Sequence, residues 1–408
     1  GGRLYTGLLQ RGRAGQYGVG NVGGIVMKKV RLGVVGLGHR GRNMYALATE
    51  GFDCVEPVAA CDLKSSNWFE TQWLRDKPMS ETVPGARFYD DYDTMLDEAG
   101  LDAVIVETGA DIHAEFCRKA LHRNINVLCD IPVVANLAEA DALWKSAAES
   151  RAIISVGANP NEARFAKVLL DLYRRGFLGK PYCMEAEYIH WEMPGSPVSI
   201  HLYENGDWRR LLAPIRYCTH SLGPLLAILE EDLTRVSCFG TGPHADDYPP
   251  GTKKDDMMCA QFQTDSGVVV RLMRNGRCRA KIGHHNYRVF GTEGYFERID
   301  QRGKNGPPVI RYNSTRYYAA SELVELDGGY MPYEYADNPR ATGHGGMDYA
   351  LLDHFLQAIL KGEHAPIPLR EGLRMTLPGI YAEESARRGG EVLAMRYPWN
   401  AGWSVEFA

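Results

Sequence analysis

The sequence predicts an α/β domain built on a doubly wound parallel sheet, followed by an α+β domain with an open, mainly antiparallel sheet. Up to residue 157, short runs rich in valine and isoleucine alternate with segments of helical periodicity. Later strands are longer and alternate in polarity, and turn sequences such as Asp265-Ser266-Gly267 separate them. We therefore assign residues 27–157 to the first domain and residues 158–408 to the second.

The first domain is expected to contain five parallel strands joined by helices. Four of the five apolar runs show little alternation, as in strands that are covered on both faces. The strands are predicted at Val30–Val35, Val55–Cys61, Leu101–Val106, Ile125–Cys129 and Ala152–Val156. Apolar residues at the spacing of a helix packed on a sheet predict helices that include Ala114–Arg123 and Leu137–Glu149.

The second domain is expected to begin with a helix and to continue with strands of a more exposed sheet. The helix is predicted at Glu162–Arg175 and the strands at Tyr182–His190, Cys259–Phe262, Val268–Met273 and Tyr287–Phe290. Near the end, apolar residues from Met347 to Ile359 recur at helical spacing, and Gly362 follows them. This pattern predicts a core helix.

Composition narrows the class of protein. A chain of 408 residues with 45% hydrophobic residues is long enough for two domains of about 150 residues or more, each with its own core. The net charge is -5 without a basic run, which argues against a nucleic-acid partner. No apolar run approaches the roughly 20 residues that cross a bilayer, so no membrane association is expected.

The nine cysteines are scattered and include no C-x-x-C pair. This argues against a disulfide framework and against a thiolate zinc site, and it favours a reducing cytoplasm. No other metal-ligand spacing occurs, so we predict no metal. Residues 1–26 are rich in glycine and lack the apolar centre of a secretory signal. We expect them to form a tail, either a cloning remnant or an upstream extension, with an organelle transit peptide as an alternative.

A glycine-rich turn after the first strand predicts a dinucleotide site. Gly36, Gly38 and Gly41 form G-x-G-x-x-G between a strand and a helix, where they allow a tight turn, a close approach to pyrophosphate and helix–strand packing. Asp62 ends the second strand, where a carboxylate accepts hydrogen bonds from the adenosine ribose. This carboxylate favours NAD over NADP because it repels a 2′-phosphate.

Further residues are expected at the same site. His39 and Arg40 lie within the glycine-rich turn, and an arginine there leaves NADP as the less favoured alternative. Thr108 and His113 follow the fourth strand and are expected to line the nicotinamide pocket, although His113 could equally cap the next helix. Asp130 ends the fifth strand, where such sheets bind ligands, and its alternative role is a helix cap.

These features together resemble the Gfo/Idh/MocA oxidoreductase family, and the resemblance covers Met27 to Ala408. It implies a Rossmann domain followed by a substrate domain. Members typically carry Glu-Lys-Pro after the fifth strand, and the lysine reaches the reacting hydroxyl group. Here the corresponding residues are Asp130, Ile131 and Pro132. The resemblance places Asp130 and Pro132 near the cofactor, while Ile131 can neither donate a proton nor orient an oxygen.

The chain also resembles one subgroup, the NAD-dependent glycosidases represented by α-N-acetylgalactosaminidases, which carry an aliphatic residue at the position of that lysine. The similar segments are Tyr188–His190, Trp208-Arg209, Tyr217–Pro224 and His344–Asp348. The subgroup has Glu where this chain has Asp130, and a longer loop between Arg209 and Tyr217. The segment Thr376–Ala386 is more similar to other sugar-active members.

The resemblance implies that the enzyme oxidises a bound sugar at C3, removes the C2 proton, releases the C1 group, adds water and re-reduces the ketone. It implies His220 as the base for the C3 hydroxyl, with Tyr188 and His190 acting at C2 and near the leaving group. Alternation along a strand puts Tyr188 and His190 on one face. Arg209, Tyr217 and His344 are expected to bind substrate.

Two other functions stay open at this point. One is an NAD-dependent sugar or glycoside 3-dehydrogenase that releases NADH, and the other is an inactive cofactor-bound sensor, which the absence of the family lysine permits. His220 could instead be a helix-capping or core histidine, and Tyr188 with His190 could belong to an exposed strand face. The open sheet of the second domain has to be covered, so we expect a homo-oligomer.

Overall fold

A computed structural model describes residues 29–190, 212–244, 255–276, 278, 285–300, 306–317 and 322–407. Six parallel strands form the first sheet in the order β3-β2-β1-β4-β5-β6. Their bounds are Val30–Val35 (β1), Val55–Cys61 (β2), Arg87–Tyr89 (β3), Ala103–Val106 (β4), Asn126–Cys129 (β5) and Ile154–Val156 (β6). The strand order reverses direction between β1 and β4, which confirms the doubly wound sheet.

Helices cover both faces of this sheet. They are His39–Gly51 (α1), Ser66–Phe69 (α2), Met79–Thr82 (α3), Tyr92–Glu98 (α4), His113–His122 (α5) and Leu137–Glu149 (α6). Side-chain caps fix where two of them begin: Asp91 accepts a hydrogen bond from the Thr94 amide, and Asn136 accepts one from the Glu139 amide. Such caps satisfy amides that have no partner inside the helix. The helices thereby start beside the carboxyl ends of the strands.

The second sheet has nine strands in the order β14-β13-β12-β11-β7-β10-β9-β8-β15. Its strands are Pro181–Tyr188 (β7), Leu233–Gly240 (β8), Met257–Thr264 (β9), Val269–Asn275 (β10), His285–Gly291 (β11), Gly294–Ile299 (β12), Val309–Ser314 (β13), Val324–Asp327 (β14) and Leu393–Ala394 (β15). Strands β7 and β10 are parallel, and the other pairs are antiparallel. The expected open, mainly antiparallel sheet is confirmed.

Helices cover one face of this sheet and connect it to the first domain. They are Arg164–Arg174 (α7), Thr219–Leu226 (α8), Met347–Lys361 (α9) and Leu369–Arg387 (α10). The predicted core helix is α9, which ends where Gly362 adopts a φ of +65°. Helix α9 packs against α1, and α10 packs on β8. A continuous apolar core therefore runs through both domains.

The opposite face of the second sheet carries charged side chains. Arg271 on β10 and Arg288 on β11 both contact Glu185 on β7, and Arg311 on β13 contacts Glu297 on β12. This arrangement explains the alternating polarity of these strands, since each one turns its apolar residues toward the helices. Within the described ranges, no helix has the length and apolar character needed to span a bilayer.

Candidate active site

A cleft of about 1140 Å³ lies between the two domains, at the carboxyl edge of the first sheet. The first domain contributes the turn after β1 and the residues that follow β2, β4 and β5. The second domain contributes the end of β7, the end of β10, the start of α8 and the segment before α9. This is the edge at which doubly wound sheets bind their ligands.

The three glycines of the turn differ in what surrounds them. Gly36 has a φ of +88°, and a Cβ atom there would lie 2.5 Å from the Glu107 carbonyl oxygen. A Cβ atom on Gly41 would lie 1.9 Å from the carbonyl oxygen of Gly36, so this glycine lets α1 pack on β1. A Cβ atom on Gly38 would have nothing within 4 Å. Gly38 therefore leaves an open approach to the N-terminus of α1, where a pyrophosphate fits.

Asp62 lies at the end of β2 and lines the cleft. One carboxylate oxygen accepts a hydrogen bond of 2.6 Å from the Leu37 amide, and the other accepts one of 2.8 Å from the Lys64 amide. The side chain thus ties the second strand to the glycine-rich turn. A carboxylate at this edge suits the unphosphorylated ribose of NAD.

Arg40 points toward the second domain. Its Nη1 atom lies 2.6 Å from Asp348 on α9, and its Nε atom lies 3.8 Å from Glu107 and 3.9 Å from Asp130. Burial opposes its charge, but Asp348, Asp130 and Glu107 together raise the pKa of Arg40. Because these carboxyl groups hold the guanidinium, Arg40 is not turned toward a 2′-phosphate on the adenosine side. Its expected contact with the cofactor stays a prediction.

Asp348 is the anchor for this arginine. Its carboxylate also accepts a hydrogen bond of 2.8 Å from Asn159 and lies 2.7 Å from His344 Nδ1. The side chain is only 4% exposed. Burial opposes its ionisation, but Arg40 and His344 overcome this and hold the pKa of Asp348 well below its ordinary value. His344, predicted to bind substrate, therefore lines the cleft while paired with a carboxylate.

Glu107 and Asp130 emerge side by side. They directly follow Val106 and Cys129, which are register partners on β4 and β5. The Glu107 side chain is 3% exposed and is hydrogen-bonded to the Asp130 carboxyl group. Burial, together with Asp130, raises the pKa of Glu107 well above its ordinary value despite the nearby Arg40.

His113 starts α5 and joins the two loops that follow β4 and β5. Its Nδ1 atom lies 2.9 Å from the Pro132 carbonyl oxygen, and its Nε2 atom lies 3.0 Å from that of Thr108. Thr108 and His113 line the cleft, whereas Pro132 contributes through this contact. The His113 side chain thus links the loops that follow β4 and β5, and its expected place in the nicotinamide pocket stays a prediction.

His220 lies in the first turn of α8 and faces the cleft. Its backbone carbonyl accepts a hydrogen bond of 2.6 Å from the Tyr287 hydroxyl, which fixes the start of the helix. Burial lowers the pKa of His220 well below its ordinary value, and His344, Arg40 and Arg274 add to the effect. The imidazole is therefore neutral. Within the described part of the chain, no hydrogen bond engages its Nδ1 atom.

Tyr188 lies at the centre of the aromatic side of the cleft. Its ring centroid is 5.6 Å from that of His220, 6.0 Å from that of His190 and 6.3 Å from that of Tyr217. The Arg274 guanidinium lies 4.2 Å above the Tyr188 ring. Four predicted site residues, namely Tyr188, His190, Tyr217 and His220, are thus brought together. Arg209 lies outside the described residues.

The backbone of His190 is fixed by the neighbouring strand. Asn275, the last residue of β10, donates a side-chain hydrogen bond to the His190 carbonyl and accepts one from its amide, each 2.8 Å long. This pairing replaces the strand ladder beyond the end of β7. The His190 imidazole is thereby held at the rim of the cleft, beside Tyr188.

His285 is one of the residues that the sequence did not single out for the site. It is the register partner of Tyr188 on β11, and the two ring centroids are 4.4 Å apart. Its Nδ1 atom lies 3.2 Å from the Tyr330 hydroxyl, which donates to Asp300. His285 therefore supports Tyr188 from behind. Only the pairing of β7 with β11 reveals this contact.

Glu107, Asp348 and Arg274 were also missed. Glu107 directly follows a buried strand and precedes Thr108, and this position could have indicated that it belongs to the site. Asp348 lies within the His344–Asp348 segment, but it occupies a helix whose pattern indicates core. Among the described residues, no three His, Cys, Asp or Glu side chains are grouped to hold a metal ion. The expected absence of a metal stays a prediction.

Comparisons with known proteins agree with this geometry. Residues 30–158 match the family model described as an oxidoreductase family with an NAD-binding Rossmann fold, and residues 214–393 match the model of its C-terminal α/β domain. A relative named glycosyl hydrolase family 109 protein 2, from Akkermansia muciniphila, is 24% identical over 84% of this chain and 77% of its own length. Another relative with that family name, from Streptomyces niveus, is 25% identical over 89% of this chain and 76% of its own.

Solved structures show the same fold. A levoglucosan dehydrogenase in complex with NADH and levoglucosan has a TM-score of 0.73 at 14% identity, covering 90% of this chain and 99% of that one. An inositol dehydrogenase homologue from Azotobacter vinelandii, in complex with NADH and myo-inositol, has a TM-score of 0.71 at 18% identity and covers 90% and 98%. The two family models together match about three quarters of the chain. The chain therefore belongs to the NAD-binding Gfo/Idh/MocA oxidoreductase family.

Proposed function

We propose that this protein is an NAD-dependent glycoside-cleaving enzyme that returns its cofactor to the starting state in every turnover. The observation that carries the proposal is the placement of His220 and Tyr188 in one cleft with the dinucleotide-binding turn. Relatives named glycosyl hydrolases support it. The glycine-rich turn and Asp62 would hold NAD, which would supply reversible hydride transfer at C3 of the sugar.

His220 is the proposed base for the C3 hydroxyl group. Loss of hydride from C3 requires that the hydroxyl proton leave as well, and a neutral imidazole accepts it. Burial and three neighbouring basic side chains keep His220 neutral. The resulting ketone acidifies the hydrogen at C2, so the next proton acceptor has to lie beside His220.

Tyr188 is the proposed base for the C2 proton. Its ring lies 5.6 Å from the His220 ring, a spacing that suits groups acting on adjacent carbon atoms. The Arg274 guanidinium lies 4.2 Å above the ring and places a positive charge beside the proposed base. As the C1–C2 double bond forms, the C1 substituent leaves. His190 is placed to protonate that leaving group or to position the water that replaces it.

The remaining predicted contacts concern the sugar. Tyr217 has its ring 5.2 Å from that of His220, which suits a contact with the sugar ring. His344 enters from the opposite wall of the cleft. We propose that both bind substrate hydroxyl groups together with Arg209. A glycosidase that uses a pair of Asp or Glu side chains is disfavoured, because this mechanism needs no cofactor and would leave the dinucleotide-binding turn without a function.

The second candidate function is a sugar or glycoside 3-dehydrogenase that releases NADH. It is favoured by one observation, the neutral His220 beside the dinucleotide site, which serves oxidation equally well. The two functions differ in whether the second half of the cycle occurs on the same protein. A sensor without catalysis would bind NAD and carry out neither half.

Cofactor accounting separates these functions. The protein is mixed with substoichiometric NAD and a panel of chromogenic α- and β-glycosides, and aglycone release and NADH absorbance are followed together. The proposal expects many aglycones per NAD without accumulation of NADH. NADH that accumulates in step with NAD, without aglycone, would establish the dehydrogenase. If neither aglycone nor NADH is formed across the panel while NAD binds, the inactive sensor is favoured over both enzymatic functions.

We also propose a homo-oligomer in a reducing compartment such as the cytoplasm. The charged outer face of the second sheet, with Glu185, Arg271 and Arg288, offers complementary charges to a second copy. All nine cysteines are free thiols, which suits a reducing compartment. A solution mass near 45.5 kDa by light scattering at micromolar concentration would contradict the oligomer.

A further inference from the structure

The cleft contains more carboxyl groups than cations around Arg40. Asp348 lies 2.6 Å from the guanidinium and also contacts His344, so Asp348 is the closest carboxylate partner of Arg40. Glu107 and Asp130 lie more than 1 Å farther from the same guanidinium. A pair of carboxyl groups is thus left without a full cationic partner. Such a pair either holds a proton or awaits another cation.

The pair lies on the nicotinamide side of the site. A dinucleotide bound to a doubly wound sheet extends to both sides of the strand-order reversal, which is between β1 and β4 here. Asp62 at the end of β2 marks the adenosine side. Glu107 and Asp130 follow β4 and β5 on the other side, and both line the cleft. The ring of oxidised nicotinamide is a cation, whereas the reduced ring is neutral.

We propose that Glu107 and Asp130 share one proton in the cofactor-free protein, and that binding of oxidised nicotinamide expels this proton into solution. The pair then carries two negative charges beside Arg40 and the cationic ring. Reduced NADH brings no such cation, so the pair keeps its proton. The two side chains are therefore specificity determinants that favour NAD⁺ over NADH as the pH rises.

The expected pH dependence follows from the expelled proton. Below the pH at which the free pair ionises, the Kd for NAD⁺ falls up to tenfold per pH unit, and the Kd for NADH does not. Other groups face the pair or line the same cleft: Arg40, Asp348, His344, His113, His220 and Arg274. Both nucleotides carry the same two phosphates, so responses to the phosphates cancel when NAD⁺ and NADH are compared.

The test measures protons released when the full chain binds NAD⁺ or NADH in weakly buffered solution at pH 7, with a pH indicator. The wild type should release close to one more proton with NAD⁺ than with NADH. Glu107→Gln should abolish this difference, because no second carboxyl group then remains to share the proton with Asp130. Equal release with the two nucleotides in the wild type would overturn the proposal, as would an unchanged difference in Glu107→Gln.

Two controls keep the test decisive. Thermal unfolding verifies that Glu107→Gln is folded. Asp130→Asn provides a second variant, which removes the other member of the proposed proton-sharing pair and should also shrink the difference. His344→Gln changes another titrating group of the cleft and should keep the difference. The inference rests on NAD binding alone and uses no sugar, so it and the proposed glycosidase function can fail separately.

Discussion

The glycine-rich turn allows folding and cofactor binding to be separated by two alanine substitutions. Gly41→Ala would place a Cβ atom 1.9 Å from the Gly36 carbonyl oxygen and 3.1 Å from the Glu107 Cβ atom. Since backbone cannot give way as a flexible side chain does, helix α1 has to move away from β1. Overpacking of this kind costs about 3 kcal/mol or more. The higher helix propensity of alanine returns only about 1 kcal/mol.

Gly38→Ala is the matched substitution in the same turn. Its Cβ atom would contact nothing within 4 Å, and the φ of −60° at Gly38 is allowed for alanine. The free energy of unfolding should therefore change by less than about 0.5 kcal/mol. The added methyl group occupies the approach to the N-terminus of α1, so the affinity for NAD should fall at least tenfold, or about 1.4 kcal/mol.

Urea unfolding without nucleotide and NAD titration by intrinsic fluorescence measure the two effects. We expect Gly41→Ala to lose stability by about 2 kcal/mol net, and Gly38→Ala to lose affinity only. A Gly41→Ala protein as stable as the wild type would refute the packing argument. A Gly38→Ala protein that binds NAD with wild-type affinity would refute the proposed path of the pyrophosphate.

Three further predictions concern single side chains. Asp348→Asn should lower the free energy of unfolding by about 3 kcal/mol at pH 7, because Arg40 loses its closest partner. Since the folded-state pKa of Asp348 is depressed, this difference should shrink as the pH falls below about 4. An equal loss of stability at pH 7 and below about pH 4 in urea unfolding would contradict this reasoning. His220→Ala should reduce turnover by a factor of about 10² to 10⁴ and leave the affinity for NAD unchanged. The control His244→Ala changes an exposed histidine and should retain wild-type turnover. Activity of His220→Ala within a few-fold of wild type would remove His220 from the mechanism. Asp62→Ala should lower the affinity for NAD and raise the affinity for NADP. In a competition titration, stronger binding of NADP than of NAD by the wild type would argue against the role of Asp62.

Much of the first domain could be predicted because its strands are fully covered. The predicted bounds of β1 and β2 match the structure residue for residue, and β4, β5 and β6 lie within the predicted runs. The strand Arg87–Tyr89 was not predicted, because three residues are too few to show a pattern. The 19-residue helix Leu369–Arg387 was also missed, since Pro378 followed by Gly379 interrupts its helical signal.

The site was only partly predictable for a different reason. A motif such as the glycine-rich turn is local in sequence, so its residues could be assigned directly. The contacts of Tyr188 with His285, and of Glu107 with Asp130, arise from strand pairing across many residues. Arg40 meets Asp348 only because α9 packs against α1. Such contacts depend on tertiary structure that residue spacing does not encode.

The central claim is that the glycosidic bond is cleaved after proton removal at C2. The most direct measurement is to cleave a glycoside in D2O and to determine by NMR where deuterium enters the released sugar. Abstraction by Tyr188 and reprotonation from solvent-exchangeable groups predict deuterium at C2 in the product. A fully cleaved product that retains all of its original hydrogen at C2 would contradict the account.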